Sequence, residues 1–330
     1  MELEYKMIII DDDDNLCEEY KQELQDYFDK KGFILDVDCI QTFEEFMQIS
    51  ENLYKYNLFL VDLKFGLEDI GNKIVKNIKE KMRVADVLFY SSSIEEINTA
   101  KTSGEYEGVY FAKRRETHPR EILEYAEELL NKQILNANSA SNFRGVVLQN
   151  MSVIDHLMRN IISLFLEKMK SNEQKLNLNN YHLEKINENL ESNYKRFVRK
   201  IDKDYTFDHL SGYEVVKNNK KDFLKEFIID YKFNDSYRIY LLLAHILNII
   251  KYPQKKHISD IYISLNTLRN ICAHANVYHF RDIDKLESID GIIELTESAC
   301  DGYRKKIIVF YKSLEEVKQF ICKNDFVLAI

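Results

Sequence analysis

Glycine and proline are scarce in this sequence, and tryptophan is absent. The 330 residues include only 9 glycines and 2 prolines. Because these two residue types supply most tight turns, their scarcity argues against a sheet-rich protein with many short loops and favours long helices. Hydrophobic residues make up 45% of the chain, which is enough for two ordinary domain cores. We therefore expect a chain that is mixed at one end and helical at the other.

Paired cysteines and long hydrophobic runs are missing as well. The five cysteines are odd in number, widely scattered and without a Cys-x-x-Cys pair: Cys17, Cys39, Cys272, Cys300 and Cys322. This pattern is typical of free thiols in a reducing cytosol and not of a disulfide framework or a zinc site. The longest apolar run, residues 240–250, is too short to cross a bilayer, and no signal peptide is visible. We expect a cytoplasmic protein with no membrane partner.

The two halves of the chain differ in charge. Residues 1–142 hold 17 Lys or Arg and 30 Asp or Glu, whereas residues 143–330 hold 29 and 25. The difference is compatible with two solvated surfaces of different composition, since surface charge mostly serves solubility. It also means that only the second half could face a polyanion without net repulsion.

The first half alternates short apolar runs with segments of helical periodicity. Predicted strands lie near residues 7–10, 34–40, 57–62, 85–90 and 108–112, and predicted helices near 17–31, 42–54, 71–82, 94–103 and 118–132. Short apolar runs bounded by polar loops are typical of buried parallel strands. Five strand and helix units in strict alternation predict an α/β fold, a doubly wound (βα)5 sheet.

Polar residues follow four of these predicted strands. They are Asp11 and Asp12 after the first strand, Asp62 after the third, Ser91 after the fourth and Lys113 after the fifth. In a doubly wound sheet, functional residues collect at the carboxyl ends of the strands. Three carboxylates brought together repel one another unless a cation lies among them, and a cluster of oxygen ligands suits Mg²⁺. A hydroxyl and an ammonium beside such a site could hold a transferred phosphoryl group.

These residues resemble the site of response-regulator receiver domains, and the resemblance covers residues 5–132. It implies a phosphoacceptor at Asp62, a magnesium site at Asp11, Asp12 and Asp62, phosphoryl contacts from Ser91 and Lys113, and a switch residue at Tyr110. It also implies a phosphodonor as partner, either a histidine kinase or another source.

The sequence departs from the receiver pattern at three places. Gly66 and Arg114 stand where receivers usually have proline, and the loop to Gly71 is one residue longer. A degenerate receiver that serves only as a docking module is therefore an open alternative.

Beyond residue 142 the periodicity is helical almost throughout. Apolar positions spaced by three and four predict helices near residues 143–168, 183–201, 221–231, 236–250, 258–275 and 298–322. We predict a receiver-like domain at 1–132, a polar linker at 133–142 or the frayed end of an extended helix, and an all-α helical bundle at 143–330.

One stretch of the second half holds residues suited to phosphate binding and proton transfer. Residues 267–276 hold Arg269, Asn270 and His274 near the predicted end of a helix. On an ideal helix Asn270 and His274 share a face, whereas Arg269 and His274 diverge by roughly 140°. A permanently charged guanidinium suits phosphate and an imidazole can move a proton, so either the arginine bends back or a second copy completes the site.

This motif resembles that of HEPN domains, helical domains that often dimerise to build a metal-independent ribonuclease site. The resemblance implies that His274 is an acid/base for a ribose 2′-hydroxyl, that Arg269 stabilises charge on the phosphorus centre, and that Asn270 orients one of them. The spacing also arises by chance, because a second match runs from Arg238 to His245 inside an apolar helix. A histidine that packs or caps, with the arginine in a surface ion pair, is the alternative.

Two functions follow from these motifs. The first is a homodimeric endoribonuclease that cleaves RNA under control of phosphorylation at Asp62, and that could act against the host's own translation in stress or phage infection. The second is a non-catalytic signalling adaptor whose helical half dimerises and binds a protein partner. A DNA-binding regulator is less favoured, since no clear helix-turn-helix signature is present.

Overall fold

The computed structural model describes residues 3–64, 70–83, 85–103, 107–115, 120–169, 178, 236–280 and 283–324. The chain forms two compact units. The first comprises Met1–Asn150 and Arg269–Ile308, and the second comprises Met151–Leu268 and Val309–Ile330. The helices predicted at 183–201 and 221–231 lie outside the described residues.

The first 137 residues form five strands, five helices and one 3-10 turn. The strands are β1 Glu4–Ile10, β2 Ile34–Ile40, β3 Leu58–Asp62, β4 Asp86–Ser91 and β5 Val109–Lys113. The helices are α1 Asp14–Lys31, α2 Phe43–Ile49, α3 Ile70–Lys81, α4 Ile94–Ser103 and α5 Glu121–Ala137, and the 3-10 turn Ser50–Lys55 follows α2. The predicted alternation and α/β class are confirmed, although the helix predicted over 42–54 is α-helical only as far as Ile49.

All five strands are parallel, in the order β2-β1-β3-β4-β5. Both faces of the sheet are covered at its centre, so β3 is apolar up to Asp62 and every residue of it is buried. One face packs against α2, α3 and α4, through Phe46, Ile74, Ile78 and Ile97 among others. This order reverses direction at β1 and β3, so the carboxyl ends of these two strands border a crevice.

Helix α1 begins and ends at residues that suit those positions. Asp13 accepts hydrogen bonds from the backbone N–H groups of Asn15 and Leu16 and so caps the first turn. Gly32 ends the helix with φ of 71°, a left-handed conformation that glycine adopts most easily. A Cβ at Gly32 would also lie 2.8 Å from the Cβ of Arg304. The acidic loop 11–13 is thereby fixed directly before the helix.

The described part of the C-terminal half is mostly helical, as predicted. Its helices are α6 Ala140–Lys168, α7 Ser236–Ile249, α8 Lys255–His274 and α9 Glu297–Lys323. The segment predicted as a linker at 133–142 holds the end of α5 and the start of α6, with only Asn138 and Ser139 between them. The domain boundaries themselves stay a prediction. None of the helices in the described residues is long and apolar enough to span a membrane.

A three-stranded antiparallel sheet follows α8, and this part of the half is not helical. Its strands are β6 Asn276–Phe280, β7 Ile283–Ser288 and β8 Gly291–Glu294, in the order β6-β7-β8. Val277, Leu286 and Ile293 are cross-strand neighbours on one face. Asp284 of β7 accepts a hydrogen bond from the backbone N–H of Ala140, 2.9 Å away, and so caps α6 from a distant part of the chain.

Within the first compact unit, the buried Arg304 joins the start of α9 to the end of α1 and to the residues after α5. Arg304 is 1% exposed. Its Nε donates to the carbonyl of Lys31 at 3.0 Å, one NH group donates to Oδ1 of Asn138 at 2.6 Å, and the other pairs with Asp301. The guanidinium also lies 4.6 Å from the ring centre of Phe33. Since every part of this charged group has a partner, its burial is compensated.

The second unit has an aromatic core. Tyr240 of α7 stacks on Tyr262 of α8 with ring centres 3.8 Å apart, and Tyr262 meets Phe310 of α9 at 5.9 Å. Asp155 and Arg159, one turn apart on α6, form a buried ion pair at 2.9 Å. These aromatic side chains serve packing between helices.

Candidate functional site

The structure brings together Asp11, Asp12 and Asp62, the acidic trio. Strand β1 pairs with β3, with Ile10 opposite Val61, so the residues that follow these positions meet at one edge of the sheet. One carboxylate oxygen from each residue lies within 4.8 Å of the others. Asp11 and Asp62 are buried and Asp12 is exposed. Among the described residues this is the one group of acidic, histidine or cysteine side chains able to hold a metal ion.

The trio is electrostatically unfavourable without a cation. Burial, and then the charge of Asp11, raises the pKa of Asp62 to about 6. Burial also raises the pKa of Asp11, opposed mainly by its hydrogen bond from Tyr90. Carboxylate oxygens at this spacing are the ligands that Mg²⁺ prefers, so the residues present fit the ion that the sequence predicts.

Several groups orient the two buried carboxylates. The Tyr90 hydroxyl donates to Oδ2 of Asp11 at 2.6 Å, and the backbone N–H of Asp13 donates to Oδ1 at 2.9 Å. The backbone N–H of Lys64 donates to Oδ1 of Asp62 at 3.1 Å. An NH group of Arg114, which stands where receivers usually have proline, lies 3.9 Å from Oδ2 of Asp11.

Ser91 and Lys113 stand at the ends of the neighbouring strands. They are register partners in the parallel pair β4 and β5. Ser91 is 1% exposed, and its hydroxyl donates to Oε2 of Glu96 at 2.8 Å. Lys113 is half-buried, and no ion pair joins it to the trio within the described residues. Tyr110, the predicted switch residue, is half-buried on β5.

Three residues of this site were not recognised in the sequence: Tyr90, Glu96 and Gly71. A Cβ on Gly71 would lie 2.6 Å from the carbonyl oxygen of Asp62 and 2.8 Å from that of Leu63, so only glycine fits there. A polar hydroxyl at Tyr90 on the otherwise apolar β4 was a usable signal. Glu96 gives no such signal, because its role depends on where α4 begins.

The motif residues of the second half lie at the end of α8. The helix ends at His274, which is exposed, whereas Arg269 and Asn270 are half-buried. Within the described residues, no hydrogen bond joins these three side chains to one another. Arg144 of α6, which the sequence did not single out, donates from Nε to the carbonyl of Cys272 at 2.7 Å and so caps this helix end.

The second arginine and histidine match lies in α7. His245 is half-buried and burial lowers its pKa. Arg238 is half-buried on the same helix. This setting is typical of packed residues in a helical core.

The sheet decides the fold of the first half. Five parallel strands in the order 2-1-3-4-5, with helices on both faces, form the flavodoxin-like arrangement. This domain has the receiver-type fold. The acidic trio lies outside the carboxyl ends of β1 and β3, where that fold binds its ligands.

Solved receiver domains are similar to part of this chain. A response regulator receiver domain protein (CheY-like) from Methanospirillum hungatei JF-1 is 21% identical with a TM-score of 0.31, and the match covers 39% of this chain and 95% of that one. The BeF3-activated DrrB receiver domain is 21% identical with a TM-score of 0.30, covering 38% of this chain and 97% of that one. No protein-family model and no curated protein matches the chain.

Proposed function

We propose that the N-terminal domain is a signalling receiver that accepts a phosphoryl group on Asp62. The observation that carries this proposal is the acidic trio, with its three carboxylate oxygens within 4.8 Å. Ser91 lies at the end of the adjacent strand, with Lys113 as its register partner one strand further. A nucleophile, two further carboxylates, a hydroxyl and an ammonium therefore lie at one edge of the sheet, which is the set of groups that phosphoryl transfer requires.

The proposed reaction transfers a phosphoryl group from a donor to the carboxylate of Asp62. A carboxylate oxygen of Asp62 attacks the phosphorus of a phosphohistidine or an acyl phosphate. The new P–O bond forms as the bond to the donor's nitrogen or oxygen breaks. A phosphohistidine releases an imidazole, which takes a proton from water, and an acyl phosphate releases a carboxylate, which needs none. Although burial and Asp11 raise the pKa of Asp62 to about 6, this value lies below 7, so the carboxylate is mostly ionised and nucleophilic at neutral pH.

The surrounding residues have separate tasks. Bound at the acidic trio, Mg²⁺ would neutralise the charge that gathers on the phosphoryl oxygens. Tyr90 and the N–H of Asp13 hold Asp11 in place, and the N–H of Lys64 holds Asp62. The ammonium of Lys113 and the hydroxyl of Ser91 would bind phosphoryl oxygens, as the receiver resemblance implies.

Phosphoryl transfer from acetyl phosphate tests this function. We expect wild-type protein with Mg²⁺ to gain one phosphoryl group, seen as retarded migration on a phosphate-affinity gel, and to gain none with EDTA. Asp62→Asn should abolish the shift, and Asp11→Asn should raise the Mg²⁺ concentration that the shift requires. The exposed Asp26→Asn is the matched control. A shift that persists in Asp62→Asn would contradict the proposal.

A second candidate function is RNA cleavage at Arg269, Asn270 and His274. It is favoured by their accessibility, since His274 is exposed and neither Arg269 nor Asn270 is buried. These residues also belong to the compact unit that holds the acidic trio, which suits control by phosphorylation. In this reading His274 removes the 2′-hydroxyl proton, Arg269 stabilises the phosphorane, and a second copy of the chain completes the site.

Incubation with total RNA separates this candidate from a protein-binding adaptor. A ribonuclease should produce fragments ending in a cyclic phosphate without added metal, and Arg269→Ala with His274→Ala should remove them. Arg238→Ala, in the second arginine and histidine match on α7, is the control variant. Intact RNA, with and without acetyl phosphate, would favour the adaptor, whose dimerisation and partner binding are then tested by sedimentation and co-purification.

A further inference from the structure

The hydroxyl of Ser91 connects the phosphoryl site to the first turn of helix α4. It accepts a hydrogen bond from the backbone N–H of Ser93 at 3.1 Å and donates to Oε2 of Glu96 at 2.8 Å. Ser93 directly precedes the helix, and Glu96 is its third residue. A single buried hydroxyl therefore lies between the two residues that cap α4.

Helix α2 shows the ordinary form of this cap. There the Thr42 side chain accepts from the N–H of Glu45, and the Glu45 carboxylate accepts directly from the N–H of Thr42, which is a capping box. In α4, the N–H of Glu96 donates to Oγ of Ser93 at 3.4 Å. The return bond is not direct, because the Ser91 hydroxyl stands between the Ser93 N–H and the Glu96 carboxylate.

Lys64 fixes the other oxygen of Glu96. Its Nζ lies 3.2 Å from Oε1 of Glu96, and its backbone N–H donates to Oδ1 of Asp62. The residue that orients the phosphoacceptor thus also holds the carboxylate that binds Ser91. Asp62, Lys64, Glu96 and Ser91 form one continuous set of contacts around the place where a phosphoryl group would bind.

We infer that Glu96 is a positioning residue that competes with the phosphoryl group for the hydroxyl of Ser91. A serine hydroxyl has one hydrogen and can donate one strong hydrogen bond at a time. Both acceptors are anionic, so charge-assisted bonds are available to either. When Ser91 donates to a phosphoryl oxygen, its bond to Glu96 is lost and the cap of α4 is weakened. The inference rests on the proposed phosphoacceptor role of Asp62.

Two properties follow from this competition. Glu96 lowers the affinity of the site for a phosphoryl group, because the bond to Ser91 must be given up when the group binds. Occupancy of Asp62 also becomes coupled to the order of the first turn of α4, whose Ile97 N–H donates to the carbonyl of Ser93 at 3.2 Å. The first turn of α4 is then less ordered in the phosphorylated state than in the unphosphorylated state.

Binding of beryllofluoride, a phosphoryl analogue, to the full chain with Mg²⁺ tests the inference by calorimetry. We expect Glu96→Gln to bind about threefold to tenfold more tightly than wild type, which corresponds to the typical net contribution of one hydrogen bond. Glu95→Gln removes the same charge one exposed residue away and should bind like wild type. In a Ser91→Ala background, Glu96→Gln should bring no gain.

A second readout follows the helix cap itself. Hydrogen exchange at the Ile97 amide should accelerate when beryllofluoride binds to wild type, and should already be fast in Glu96→Gln. Equal affinities of Glu96→Gln and Glu95→Gln, or the same gain in the Ser91→Ala background, would overturn the inference and indicate simple charge repulsion. Absence of any beryllofluoride binding by wild type would instead overturn the phosphoacceptor role, and the inference with it.

Discussion

Asp62 occupies a setting that opposes its own ionisation. It is 8% exposed, and burial together with Asp11 raises its pKa to about 6. Its native carboxyl therefore binds a proton at higher pH than the unfolded one, whose pKa is about 3.9. Between these two values the wild-type protein loses stability as pH rises, and above pH 6 the full cost is present.

We expect Asp62→Asn to be more stable than wild type at pH 7 when Mg²⁺ is absent, by about 1–3 kcal/mol. The gain should shrink as pH falls from 6 toward 4, because the wild-type carboxyl becomes neutral. Urea unfolding at several pH values measures this, with Asp26→Asn as control. A variant less stable than wild type at pH 7 would mean that the trio is not under repulsion.

Position 71 requires glycine because α3 packs closely against the backbone of Asp62 and Leu63. The Cα of Gly71 approaches the carbonyls of Asp62 and Leu63 so closely that no side chain fits. Gly145, inside α6, has no atom within 4 Å of its notional Cβ. Substitution by alanine should therefore lower the stability of the protein at Gly71 and raise it at Gly145.

Gly71→Ala should destabilise the protein by about 3 kcal/mol or more, since backbone atoms must shift. Gly145→Ala should stabilise it by about 0.5–1 kcal/mol, because alanine restricts the unfolded chain and favours the helix. Thermal unfolding of both variants is the measurement. If Gly71→Ala unfolds at the wild-type temperature, α3 does not pack against the loop in the way described.

The sequence predicts the strand-end residues because each follows an apolar run. Asp11, Asp12, Asp62, Ser91 and Lys113 could be placed at one edge of a sheet from these runs alone. Tyr90, Glu96 and Gly71 could not, since their contacts join segments that are apart in the chain or depend on where a helix starts. The local sequence pattern thus predicts which residues lie at the edge of the sheet, whereas tertiary packing determines which residues orient them.

At the scale of elements, the corner between α1 and β2 receives the start of α9. Gly32 has no side chain and lies against Arg304, whose guanidinium binds the carbonyl of Lys31 and the side chains of Asn138 and Asp301. Lys31 also pairs with Glu297 at the beginning of α9. These contacts are long-range in sequence, so no local pattern predicts them.

Arg304→Ala should destabilise the protein by about 3–5 kcal/mol, because it leaves Asp301 and Asn138 buried without their partner. Lys305→Ala, at the adjacent exposed position, should change stability by less than about 0.5 kcal/mol. Denaturant unfolding compares the two. Equal stabilities would show that the buried guanidinium does not hold α9 to this corner.

The three-stranded sheet was missed for a physical reason. Its strands are short, half of the central strand β7 consists of charged residues, which have low strand propensity, and the helical pattern on either side is strong. The dipeptide Asp290-Gly291, at the turn where β8 begins, was a usable hairpin signal, with Leu286 and Ile293 as the inward pair. Helix periodicity, by contrast, placed both ends of the four described C-terminal helices to within a few residues.

At the scale of the whole molecule, composition suggested a boundary after α5, whereas compactness divides the chain differently. Helices α6, α8 and α9 each contribute residues to both units, because long helices extend past any one core. The acidic trio and the Arg269 motif share one unit although more than 200 residues lie between them in the sequence.

In the proposed reaction Asp62 itself carries the phosphoryl group. Reduction of the acetyl phosphate-treated protein with borohydride converts an aspartyl phosphate to homoserine, and peptide mass spectrometry then locates it. We expect homoserine at position 62 only when Mg²⁺ is present during phosphorylation, and unmodified Asp11 and Asp12. Homoserine at another position, or none under conditions that preserve the fold, would contradict the account.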